Sequence, residues 1–115
     1  MRKLLGAAVI LMTIAGCSSA PANSEACKKF VQQADTSLGF TKELLQSGDA
    51  TSAQAVMKDL PDTLAGFSSK ATGEPQKAMN VFVVSLSQFN SGGSPDLKGR
   101  LNSVRDACSA AGVSF

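Results

Sequence analysis

Histidine, tryptophan and tyrosine are absent, and six phenylalanines are the whole aromatic content of the 115 residues. The repertoire for catalysis and metal binding is thereby reduced to carboxylates, Lys, hydroxyls and three Cys. Charge is scarce as well, at 17% of positions, and no cluster of Lys or Arg is present. The formal charge of +2 comes from Arg2 and Lys3, so the chain beyond residue 16 is neutral. A neutral surface releases few counterions on a nucleic acid and is weakly drawn to anionic lipid headgroups, which excludes nucleic acid as a partner. The length suits one small globular domain and excludes a multidomain enzyme.

What is present is concentrated at the N-terminus. Met1-Arg2-Lys3 is a short basic start, and Leu4 to Ile14 is an apolar run. As a helix it covers about 16 Å against a hydrocarbon core of about 30 Å, too short to span a bilayer but suited to a signal-peptide core. Ile14-Ala15-Gly16-Cys17 follows. This segment resembles the lipobox of bacterial lipoproteins, with Ile14 where Leu is commoner. The resemblance implies that the Cys17 thiol receives a diacylglyceryl-type lipid, that residues 1–16 are removed, and that Cys17 becomes the new N-terminus. A thiolate alkylates readily and small neighbours leave the backbone accessible, which accounts for these residue types. No other cofactor is expected. Buried acyl chains contribute about 0.8 kcal/mol per methylene, so the domain is expected outside the cytoplasm, held on the bacterial cell membrane by lipid. Ser18 after the Cys implies transfer to the outer membrane if the host is Gram-negative. Residues 17–23 form the lipidated Cys and a short polar tether, and residues 24–115 a helical domain.

Four segments of that domain carry helical periodicity. Cys27, Phe30, Val31, Ala34, Leu38, Thr41 and Leu45 form the first stripe, ended near Gly48, with Asp49 placed to cap the next helix. Ala53, Val56, Met57, Leu60, Leu64 and Phe67 form the second, which Pro61 is expected to kink or divide with Asp59 as a new cap. The third runs from about Pro75 to Asn90 through Ala78, Met79, Phe82, Val83, Leu86 and Phe89. Val81 to Val84 has strand character, yet no second β-rich run exists to pair with it. Ser94-Pro95-Asp96 reads as a cap with Pro at the first helical position, followed by Leu97, Leu101, Val104, Cys108 and Ala111, with Gly112 as the stop. Short connections between amphipathic helices predict an all-α fold, a small antiparallel up-down four-helix bundle.

That topology brings Cys27, opening helix 1, beside Cys108, closing helix 4. With Cys17 lipidated they form an even pair in an oxidising compartment, so a disulfide is expected, worth about 4–5 kcal/mol in the chain-entropy model. Catalytic constellations are weak. Ser68-Ser69-Lys70 lacks Ser-x-x-Lys spacing, Asp59 and Asp62 are too few ligands for a hard cation, and Gly92-Gly93 has no preceding strand. A non-enzymatic protein without metal is expected.

Binding is the remaining class. Val81, Val84 and Phe40 lie off the apolar stripes and form a candidate partner patch, unless the helices are buried on broader arcs. The chain beyond the lipobox resembles the small Ala- and Ser-rich helical lipoproteins of high-GC Gram-positive bacteria and their phages, in size, composition, and Asp106-Ala107-Cys108 paired with Cys27. That resemblance implies a membrane-anchored binding or structural module with an envelope protein as partner, in envelope-protein modulation or phage exclusion. The alternative is a carrier of a small apolar or lipid ligand in the helical core, lined by Phe30, Phe67, Phe82 and Phe89.

Overall fold

The computed structural model describes residues 6–115, with side chains from Asn23 onward. The expected leader, Cys17 and the tether as far as residue 22 lie outside the residues whose side chains are described. Four helices follow one another: α1 (Gly6–Gln46), α2 (Ala50–Ser68), α3 (Gly73–Asn90) and α4 (Leu97–Ala110). Among the described residues there is no strand, so the fold is all-α and the Val81 to Val84 run is helical.

Local chemistry explains most of the boundaries. Gly48 adopts a left-handed φ of 85°. It thereby lets the Asp49 N–H reach back to the Leu44 carbonyl at 2.8 Å and close α1. The Asp49 carboxylate then accepts from the Ser52 N–H at 3.0 Å and opens α2. The backbone and hydroxyl of Ser52 together hold that carboxyl below its ordinary pKa. Gly112, with φ of 92°, ends α4 in the same way and returns Val113 to the core. The last helix is capped by Asp96, which accepts from the Gly99 N–H at 3.0 Å, and not by Ser94. Pro95 therefore precedes the helix. A carboxylate two residues beyond Ser94 supplies the better acceptor.

Pro61 neither divides α2 nor recruits Asp59 as a cap; the helix runs unbroken from Ala50 to Ser68. Proline removes the N–H that would bond the carbonyl four residues earlier, that of Met57. Asn90, at the end of α3, replaces it: its side-chain amide donates to the Met57 carbonyl at 2.8 Å. A donor from a neighbouring helix thus carries α2 through its proline, and Asp59 remains an exposed mid-helix residue.

The core is built from the predicted stripes. α1 packs on α2 and α4, α2 on α3, and α3 on α4, with a lesser diagonal contact of α1 and α3. Phe30 and Phe82 are fully buried and meet edge to face, their ring centroids 5.8 Å apart. Leu64, Met79, Leu86 and Val104 surround them with no exposed surface. Cys27 and Cys108 are joined in a disulfide, Cα atoms 6.1 Å apart, across a separation of 81 residues. Nearby, the Asn23 side-chain oxygen Oδ1 accepts from the Thr72 N–H at 2.8 Å, tying the start of the domain to the α2–α3 connection. Arg105 of α4 reaches Asp35 of α1 at 2.6 Å. Both side chains are partly exposed, so this pair adds about 1 kcal/mol at most.

Two large members of the stripes are exposed. Leu45 is 55% exposed and Phe89 44% exposed. Periodicity gives the facing direction of a residue but not whether a neighbouring helix extends far enough to cover it, and at this end of the molecule none does.

Candidate functional site

Leu45 and Phe89 flank an open groove of about 660 Å³ where the end of α1, the first half of α2 and the end of α3 come together. Its walls are Thr41 and Leu45 of α1, Ala53, Gln54, Met57 and Lys58 of α2, Phe89 and Asn90 of α3, and Gly92 of the following connection. The sequence leaves this space unfilled for three reasons. Ala53 carries a single methyl where Leu60 and Leu64, further along α2, carry whole side chains. The α3–α4 connection beside the groove is Ser91-Gly92-Gly93-Ser94, with no bulky group to fold inward. Leu45, in the last turn of α1, stays half-exposed at the rim and does not fold in to fill the space.

The groove is not uniformly apolar. Five polar residues are buried in the domain: Asn23, Ser37, Thr41, Ser68 and Ser85. Four have partners: Asn23 bonds Thr72, Ser37 accepts from Gln33, Ser68 donates to Ala65 and Ser85 donates to Val81. The Thr41 hydroxyl alone has none, although the residue is 91% buried and lines the groove. A helical Thr ordinarily bonds back to the carbonyl one turn earlier. At the rim, Lys58 is the single charged residue of the lining. The ion pairs of the described residues join Lys29 to Glu25, Lys77 to Glu74 and Arg105 to Asp35, and Lys58 takes part in none.

The four phenylalanines expected to line a ligand space do not share one. Phe30 and Phe82 fill the closed core against each other, Phe67 is half-buried against it, and Phe89 alone faces the groove. The open space is therefore at one end of the bundle, and not along its axis. Val81, Val84 and Phe40 are 44%, 55% and 50% exposed, so broader burial of α1 and α3 does not cover them. Among the described residues no group of three acidic or Cys side chains is close enough to hold a metal, and no helix is long and apolar enough to cross a membrane.

Sequence reasoning placed Thr41, Leu45, Ala53 and Met57 in the core stripes and did not single out Lys58. The available signal was negative: a small residue early in helix 2 opposite a Gly-rich connection, with too little side-chain volume to close that end. No family model matches the chain, and no curated protein or solved structure does.

Proposed function

We propose that the chain is an exported, lipid-anchored, non-catalytic binding module, an antiparallel up-down bundle tethered to a bacterial membrane through Cys17. The observation that carries this reading is the Cys27–Cys108 disulfide, fully buried behind both helices that supply it. Structural disulfides belong to oxidising compartments, and the lipobox-like Ile14-Ala15-Gly16-Cys17 stands a short tether ahead of the bridge. Both observations concern export, and they arise from different parts of the chain.

The up-down topology is supported by consecutive helices packing on one another through short connections, with α1 also against α4. A non-catalytic role is supported by the absence of His and by the commitment of two cysteines to a bridge. Exposed Val81, Val84 and Phe40 offer an envelope protein apolar contact area. A second reading, carriage of an apolar ligand, is favoured by the groove beside Phe89.

Anchoring is tested by fractionating cells that express the full chain or Cys17→Ser. The wild type should sediment with membranes and dissolve only in detergent, whereas Cys17→Ser should lose its mature, membrane-bound form. Equal membrane retention of the two would contradict the anchor.

A further inference from the structure

We propose that the groove at the α1–α2–α3 end binds a single-chain amphiphile with a carboxylate head, that is, a long-chain fatty acid. The inference rests on the reading of the chain as a binding module and names the chemistry of its ligand.

Three observations converge on this class. The volume, about 660 Å³, lies within the range of small-molecule sites, roughly 300–1,000 Å³. The site is also polarised along its length. Counted away from the turn Ser47 to Asp49, Leu45 and Ala53 come first and are apolar, with the uncharged Gln54 beside them. One helical turn further come Thr41 on α1 and Met57 and Lys58 on α2, which bring a buried hydroxyl without a partner and an unpaired ammonium. A carboxylate at that level pairs with the Lys58 ammonium, and its chain then lies along Met57, Phe89 and Leu45 toward the open end; the Thr41 hydroxyl, which has almost no accessible surface in the unliganded domain, joins it only by turning about its side-chain torsion. Asp62, one turn beyond Lys58, is not within ion-pair distance of it, so the ammonium is available. Finally, the walls suit a flexible chain. Met57 is unbranched and adaptable, and Leu45 and Phe89 are half-exposed side chains free to close over a ligand.

A protein partner fits less well. Apart from the Gln54 amide and the Asn90 amide, whose nitrogen already bonds the Met57 carbonyl, the groove carries one cation and one orphan hydroxyl at a single level, which matches one small head group better than a row of backbone donors and acceptors.

The test is calorimetric titration of the full chain, disulfide formed, with decanoate, dodecanoate and tetradecanoate below their aggregation limits and with dodecanol as the uncharged control. One-to-one binding is expected, tightening about fourfold per added methylene, the equivalent of ~0.8 kcal/mol for each one buried. Lys58→Glu should weaken dodecanoate about tenfold and leave dodecanol nearly unchanged. Leu45→Asp and Phe89→Asp change exposed positions and so should preserve the fold, checked by circular dichroism, while abolishing binding of both probes. Val81→Asp should change nothing. Absence of dodecanoate binding, or binding insensitive to Leu45→Asp and Phe89→Asp, would overturn the site. Binding of dodecanol as tight as dodecanoate, indifferent to Lys58→Glu, would overturn the carboxylate. If Cys17 is acylated while dodecanoate fails to bind, only the ligand assignment falls; if dodecanoate binds while Cys17 is unmodified, only the anchor falls.

Discussion

The two ends of the bundle are made from the same helices and differ in how completely they are filled. At the end holding Cys27, Phe30, Leu64, Met79 and Cys108, each of these side chains is wholly buried and a covalent bond closes the set. At the end holding Leu45, Ala53 and Phe89, the helices run out before their apolar faces are covered and one buried hydroxyl has no partner. Stability is therefore concentrated at one end, which leaves the other able to present apolar surface without endangering the fold. A single small domain thus keeps its closed and its open region apart by position along the helices.

The comparison is broken most forcefully at the bridge. Replacing Cys27 and Cys108 together with Ala should lower stability by about 4–5 kcal/mol, as expected for releasing a loop of this length, and thermal unfolding measures it. A loss under about 1 kcal/mol would show that the closed end does not depend on its bond.

Next in size is a matched pair of truncations. Phe82→Ala, in the closed end, should cost about 3–5 kcal/mol, because the deletion leaves a cavity in a packed core. Phe89→Ala, on the same helix but at the open end, should cost well under about 1 kcal/mol. Urea unfolding of both variants decides the matter, and equal losses would erase the distinction between the ends.

Asn90→Leu sharpens the boundary between the two regions. It removes the only side-chain donor to the Met57 carbonyl, which Pro61 leaves without its helical partner, and should cost about 1–3 kcal/mol. In Pro61→Ala, where the helix supplies its own N–H, the same Asn90 substitution should cost much less. A double-mutant cycle in thermal unfolding reads the coupling, and strict additivity would refute the stitch.

These positions also show what was legible beforehand. The stripes of Cys27, Phe30, Met79, Phe82 and Val104 were readable because burial on one helix face repeats locally. The turns at Gly48-Asp49 and Gly112 were readable because their chemistry lies within a few residues of where it acts. The Cys27–Cys108 pair followed from the helix count together with the expectation of export. The continuity of α2 through Pro61 was not legible, since the compensating donor is Asn90, in another helix. Nor was the groove: Leu45 and Phe89 carry the same periodic signal as core residues, and only the relative ends of three helices decide that they stay uncovered. Thr41 became informative once its partners could be counted, because the same residue with a back-bonded hydroxyl is unremarkable in a helix.

The smallest expected effect has the opposite sign. Thr41→Val removes a buried hydroxyl without a partner and keeps the side-chain shape, so the unliganded domain should gain up to about 1 kcal/mol in chemical unfolding. A loss of that size would mean that the hydroxyl is already satisfied within the protein, and the open end would then lack its unpaired polar group.

Export and anchoring are tested together by intact-mass spectrometry of the protein extracted from membranes without reductant. It should find a chain beginning at Cys17, heavier by a diacylglyceryl-type modification and lighter by the two hydrogens of the Cys27–Cys108 bridge. A full-length chain beginning at Met1, with Cys17 unmodified and Cys27 and Cys108 reduced, would contradict both.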